Sequence, residues 1–414
     1  LAAGADIVET NTFGGTDFVL GEFDLQDYVE EVNTKAVELA RAACDKFSTP
    51  DKPRFVAGSI GPTTKALSVT GGITFDELAK SFEDQAYYLT KAGSDYLLFE
   101  TALDTLNLKA AYIGALAAFK RLGKEIPVAV SGTIETMGTM LAGQAVEALY
   151  ASIEHMNPLY VGLNCATGPE FMRDHLRTFA RISKFPISVV PNAGMPDEDG
   201  CYCETPKKLA AVLDLFIKEG WVNLIGGCCG TTPKHINQLA NIVKDKAPRK
   251  MANLSVSRVS GIDTLIIEDE NGPYIVGERT NVIGSRKFKE MIQDEQFEAA
   301  AEIARKQVKA GAHIIDVCLS NPDRDETADM ISFLENVSKI IKVPIMIDTQ
   351  VAEVFEEACK RIQGKCILNS VNLEEGESSF QALLPIVKKY GASVVVGCIQ
   401  SEMAVTAQEK LNVA

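Results

Sequence analysis

The sequence predicts an α/β chain built as two consecutive (βα)8 TIM-type barrels, the first lacking its first strand and the second lacking its last strands. Three observations lead there. The chain has 414 residues, more than one ordinary hydrophobic core organises. Short β-rich runs alternate regularly with amphipathic stretches of helical period. Neither a dinucleotide fingerprint nor a sign of strand-order reversal marks a doubly wound sheet.

Taken in order, the first series of buried-strand patterns is ADIVETNTF at 5–13, RFVAGSIG at 54–61, DYLLFET at 95–101, PVAVSGTIE at 127–135, YVGLNC at 160–165, ISVVPNAG at 187–194 and LIGGCCG at 224–230. Helical stretches such as TPKKLAAVLDLFIKEG separate them. Seven regular units fit an eightfold barrel whose first unit would precede Leu1. A polar, proline-bounded stretch over 246–272 reads as a connection between domains at 1–245 and 273–414, with TLIIE in it as a small strand. The second series is YIVGERTN at 274–281, HIIDVCL at 313–319, PIMIDT at 344–349, CILNSVN at 366–372 and SVVVGCI at 393–399. It stops after five strands, so this barrel is expected to be incomplete at Ala414.

Composition narrows the function. A net charge of −15, with no basic cluster to interrupt it, argues against a nucleic-acid partner. No apolar run reaches the ~20 residues that span a bilayer, so no membrane partner is expected. Ten cysteines without a leader read as thiols of a reducing, cytoplasmic compartment rather than as a disulfide framework.

In a βα barrel, chemistry is assembled at the C-terminal ends of strands, so functional side chains should directly follow the apolar runs. In the first series these positions hold Glu9, Thr10 and Asn11; Glu100 and Thr101; Ser131, Thr133 and Glu135; Asn164 and Cys165; Asn192; and Cys228 and Cys229. Three cysteines therefore converge on one rim. Thiolates are soft ligands that suit zinc, and three protein ligands with a fourth position open make a catalytic rather than a structural site. Gly226, Gly227 and Gly230 would let the backbone turn so that both adjacent sulfurs reach one metal. Buried cysteine is also common as a small apolar residue, and strand-end placement is what favours the metal. Cys201 and Cys203 lie in a loop without a third partner and read as ordinary thiols. His155, His175, His235 and His313 read as packing or surface residues.

ADIVETNTFGG, LLFETALD, VGLNCATGP and NLIGGCCGTTP resemble, in that order, the zinc-dependent homocysteine S-methyltransferases, across most of the first 250 residues. The resemblance implies that Cys165, Cys228 and Cys229 hold zinc and that the sulfur of homocysteine takes the open position, losing its proton. It further implies that Glu100 receives the amino group and that the backbone near Thr12, Phe13 and Gly14 receives the carboxylate. The family's glycine-rich opening strand is not among these residues, which puts part of the thiol pocket, and activity of the chain as it stands, in doubt.

The second series ends its strands on Glu278, Arg279, Thr280 and Asn281; Asp316, with Asn321 just beyond; Asp348; and Asn369 and Asn372. These carboxylates and amides could be a generic rim, or could match the adjacent donors and acceptors of a pterin. YIVGERTN, IIDVCLSN, PIMIDT and LNSVN look like the pterin-binding barrel of dihydropteroate synthases and folate-dependent corrinoid methyltransferases. That likeness implies ring contacts from Asp348 and Asn369, with Asn281 and Asp316 next, while Cys318 departs from the asparagine common at that point. The order of the two barrels resembles the amino-terminal part of the cobalamin-dependent methionine synthases. It implies methyl transfer from 5-methyltetrahydrofolate through methylcobalamin, held by a cobalamin-binding domain outside this chain, to homocysteine. Two other readings stay open. One is a single-step homocysteine methyltransferase with a betaine or S-methylmethionine donor, which needs only one barrel. The other is a non-catalytic zinc- and pterin-binding fragment.

Overall fold

The computed structural model describes residues 1–251, 256–374, 376–401 and 404–414. The chain divides into two compact units, Leu1–Ser255 and Val256–Ala414.

In the first unit the strands are β1 (Ile7–Glu9), β2 (Phe55–Ile60), β3 (Tyr96–Ala102), β4 (Val128–Gly132), β5 (Val161–Asn164), β6 (Ile187–Val190) and β7 (Leu224–Ile225). They form a seven-stranded sheet in sequence order, every neighbouring pair parallel. This is the wall of a βα barrel, and each strand falls in one of the runs predicted from sequence, β3 passing the end of its run by one residue at Ala102. Helices cover the outside, so β4 and β5 are buried along their whole length. Their starts are capped as the sequence allows. Thr74 and Glu77 make a reciprocal capping box for the helix Phe75–Ala92, and Asp104 accepts from the Leu106 amide at the start of Thr105–Leu122. Inside, Ala57, Tyr96, Leu98, Ala129 and Tyr160 cluster at the strand starts, with the two tyrosine hydroxyls bonded to each other at 3.0 Å. That pairing satisfies two polar atoms in an otherwise apolar foot.

The stretch read from sequence as a connection is largely structured. Arg249, 5% exposed, donates to the carbonyls of Ala180, Ser183 and Phe185, which stitches the segment after the helix Pro233–Val243 to the first unit. Beyond the undescribed residues 252–255, β8 (Ser257–Ser260) and β9 (Thr264–Ile267) form an antiparallel hairpin belonging to the second unit; β9 contains the TLII of the expected small strand.

That unit continues as β10 (Val276–Asn281), β11 (Ile314–Cys318), β12 (Ile345–Asp348), β13 (Ile367–Leu373) and β14 (Ser393–Gln400), a five-stranded parallel sheet again in sequence order. The hairpin closes its foot. Val259 packs on Ile314 and Ile367, the Ser260 amide donates to the Lys365 carbonyl at 3.1 Å, and the Asp263 amide donates to that of Lys342 at 2.9 Å. With the strand starts covered in this way, the strand ends are left to carry polar groups. Among the described residues, no helix is long and apolar enough to cross a membrane.

Candidate functional site

Two rim segments bring the cysteines of the first unit together, and the end of β6 holds both. Cys165 follows β5, and its amide donates to the Val190 carbonyl at 3.1 Å. Cys228 and Cys229 follow β7. The Cys228 amide donates to Pro191, the Ala193 amide to the Cys229 carbonyl, and the Cys229 amide to Oδ1 of the buried Asn192 at 3.2 Å. The result is a half-buried group of three sulfurs, all within 4.8 Å of one another. Cys165 Sγ lies 3.7 Å from Cys229 Sγ, which lies 3.9 Å from Cys228 Sγ. Those separations are far longer than a disulfide bond. They match the edge of about 3.8 Å that Zn–S bonds near 2.3 Å give a tetrahedron. The three thiols therefore fit zinc in both donor type and spacing, and no fourth His, Cys, Asp or Glu joins them among the described residues.

Of the flanking glycines, Gly230 serves the backbone turn as expected and Gly227 serves another purpose. Gly230 adopts φ +76°, the left-handed backbone that favours glycine, whereas Gly227 is needed for close packing: a Cβ there would meet Thr231 Oγ1 at 2.3 Å.

Cys165 itself has φ +57° and Thr101 φ +55°, conformations that cost a non-glycine residue about 1–3 kcal/mol and persist only when the surroundings impose them. Asn164 is part of what imposes them. Its Oδ1 accepts from the Thr101 amide at 2.9 Å and from Ser131 Oγ at 2.6 Å, while its Nδ2 donates to Thr101 Oγ1 at 2.7 Å. Three polar residues that sequence placed on the rim thus brace it from within.

Electrostatics at the cluster are shared. The hydrogen bond from Cys228, with smaller help from Asn192, lowers the Cys165 thiol to about 6, while the same bond raises Cys228 and burial raises Cys229. Beside Cys165, burial chiefly raises Glu100, which accepts a hydrogen bond from Ser59 Oγ. Glu9, accessible yet walled by protein, is pushed up to about 7 by desolvation and then by Glu100.

The loop after β1 divides its labour. Thr12 is buried, donates to the Ser59 carbonyl at 2.6 Å, and accepts at its own carbonyl from Gln85. The Phe13 carbonyl accepts from Gly61, but the Phe13 and Gly14 amides find no acceptor among the described residues. Cys201 and Cys203 are exposed and lie outside the cluster. His235 caps the helix start at Thr232 and bonds the Glu204 carbonyl. Ser59 and Tyr202 were not singled out from sequence. Ser59 sits within a buried apolar strand and Tyr202 within a polar loop, so neither carried a signal.

In the second unit the strand ends of β10 to β13 converge on Asp316. It is 3% exposed and its pKa is pushed up to about 6, first by burial and then by Asp348, against hydrogen bonds from Asn281 and Asn369. Asp348 is raised by burial, with the Cys318 thiol donating to it. The thiol at that position therefore takes over part of a hydrogen-bonding role, and burial raises Cys318 to about 12. Asn281 also caps the turn at Ile283 and Gly284, and Asn372 is bonded to Glu374. Asp316 Oδ1 and Asn321 Nδ2 are buried without a partner among the described residues.

Comparison with known proteins matches each unit to a different family. The Homocysteine S-methyltransferase family pattern matches residues 1–243, and that of the Pterin binding enzymes matches residues 277–413. Methionine synthase of Mycobacterium tuberculosis is 38% identical over 420 residues and that of Mycobacterium leprae 37% over 425, each alignment covering 100% of this chain. The chain spans 35% of the length of either relative. Among solved structures, the metallated homocysteine methyltransferase of Escherichia coli superposes with a TM-score of 0.49 at 23% identity, over 58% of this chain and 80% of that one. With its family pattern running through β1 to β7 and across all three clustered cysteines, the chain belongs to the homocysteine S-methyltransferase family.

Proposed function

We propose that the chain carries the two substrate sites of a methyl transfer from 5-methyltetrahydrofolate to homocysteine, one in each unit. The observation that carries this reading is the triangle of sulfurs at a tetrahedral zinc spacing, at the rim of a unit followed by a second unit whose rim is carboxylate and amide. Zinc held by Cys165, Cys228 and Cys229 would lower the pKa of a thiol brought to its open position and keep it anionic at neutral pH.

The protein groups position that thiol. Asn164 and Asn192 fix the two arms of the cluster, Glu100 accepts the amino group of homocysteine, and the open Phe13 and Gly14 amides receive its carboxylate. In the second unit, Asp348 and Asp316 accept from the pterin's amino and ring N–H groups, and the amides of Asn369 and Asn281 beside them contact the ring as well. Methylcobalamin, delivered by a cobalamin-binding domain, would carry the methyl group between the sites. All ten cysteines are free thiols, which suits a reducing, cytoplasmic setting.

Titration calorimetry with L-homocysteine and with 5-methyltetrahydrofolate, before and after a zinc chelator, tests the assignment. Chelation should abolish homocysteine binding and leave folate binding intact. Equal loss of both, or of neither, would contradict two independent sites.

A further inference from the structure

The segment after β6 returns to the thiol cluster by a route that the substrate assignment does not use. After Gly194, at φ +84°, the chain makes a tight hairpin: Pro196 and Tyr202 bridge, and Asp197 Oδ1 accepts from the amides of Asp199 and Cys201. The returning limb is clamped just beyond Tyr202, where the Glu204 amide donates to Ala193 at 3.1 Å and the Glu204 carbonyl bonds His235 Nε2 at 2.9 Å. Ala193 is also the residue whose amide holds the Cys229 carbonyl at 2.9 Å. Tyr202 is thereby laid directly on the cysteine turn. A Cβ on Gly230 would lie 2.2 Å from Tyr202 Cβ and 2.5 Å from its Cγ, so only glycine leaves room for the ring. From there the phenol faces the turn that carries Cys229, within electrostatic reach of its sulfur.

We propose that Tyr202 is a positioning residue of the thiol site, its hydroxyl donating to the Cys229 sulfur and its ring closing over the Gly230 turn. The inference rests on the zinc reading above. Three thiolates place three negative charges around a divalent ion, and a hydrogen bond to one of them withdraws charge from that sulfur without displacing it. Partners of this kind orient and tune a ligand that they do not replace, and their loss commonly costs 10–100-fold in metal affinity.

The test uses Tyr202→Phe and Tyr202→Ala in the whole chain loaded with cobalt(II) in place of zinc, read by the sulfur-to-cobalt charge-transfer absorption and by the rate at which a chelator removes the metal. Tyr202→Phe should keep one cobalt per chain but move the band to longer wavelength, because Cys229 becomes the stronger donor. Tyr202→Ala should show the same displacement and lose its metal roughly tenfold faster, since the ring is gone as well. A Tyr202→Phe spectrum superposing on that of the parent would overturn the role of the hydroxyl. An Ala variant that releases metal at the parent's rate would overturn that of the ring. Absence of any thiolate band in the parent would instead overturn the metal reading, and this inference with it.

Discussion

The two rims use the same fold position for opposite chemistries. In the first unit the strand ends deliver soft sulfur, and two side-chain amides are spent in holding it: Asn164 is bonded to Thr101 and Ser131, and Asn192 to Cys229. In the second unit the strand ends deliver oxygen and nitrogen, with Asp348 close enough to help raise the pKa of the buried Asp316. A rim built for a metal must be stiff before the ligand arrives, because ligand distances are fixed to a few tenths of an ångström. A rim built for a heteroaromatic ring can leave donors and acceptors open and let the ring satisfy them.

The largest effect should follow from Cys228→Ser, which removes one of three ligands. Stoichiometric zinc should be lost by elemental analysis, with folate binding unchanged; zinc retention would break the assignment of that rim. Next, Asp348→Ala should weaken 5-methyltetrahydrofolate binding about 10- to 100-fold, the ~1.5–3 kcal/mol of a charged hydrogen bond, and leave zinc content at the parent value. Loss of zinc in this variant would mean that the rims are not separable. Smaller is Asn164→Ala, which strands the Thr101 amide and the Ser131 hydroxyl and should cost about 1–3 kcal/mol in denaturant unfolding. A variant of parental stability would place this amide among the ligand-facing groups instead.

The subtlest difference is in pH dependence. The Asp316 proton is held more tightly in the folded than in the unfolded chain. This group therefore favours folding below its unfolded pKa near 4, and that contribution is lost as pH rises through about 6. A pterin donating N–H groups needs the ionised carboxylate, so folate affinity should increase from pH 5 to 7 and level off above. Asp316→Asn should flatten that profile, and an unchanged profile in the variant would remove Asp316 from the ring contacts.

Much of this comparison was legible in the sequence because buried parallel strands are continuous apolar runs whose polar endings announce the rim. YVGLNC and LIGGCCG placed the cysteines, and PIMIDT and CILNSVN placed Asp348 and Asn369. The hairpin under the second sheet was only half legible. Val259 and Leu265 find their apolar partners on Ile314, Ile367 and Met346, far along the chain, so the stretch looked like a polar connection. Tyr202 was hidden for a related reason. Its importance comes from lying on Gly230, a contact across 28 residues of sequence that no local pattern encodes. The glycines beside the cysteines were noticed for backbone freedom, which Gly230 uses, but the close packing at both Gly227 and Gly230 was not visible.

The central claim, that three thiols hold a metal with one position open to a fourth sulfur, is tested most directly by zinc-edge X-ray absorption on the chain with and without L-homocysteine. The account predicts three sulfur neighbours near 2.3 Å in the free protein and four once homocysteine is added. Absence of zinc, or a sulfur count that homocysteine does not change, would contradict it.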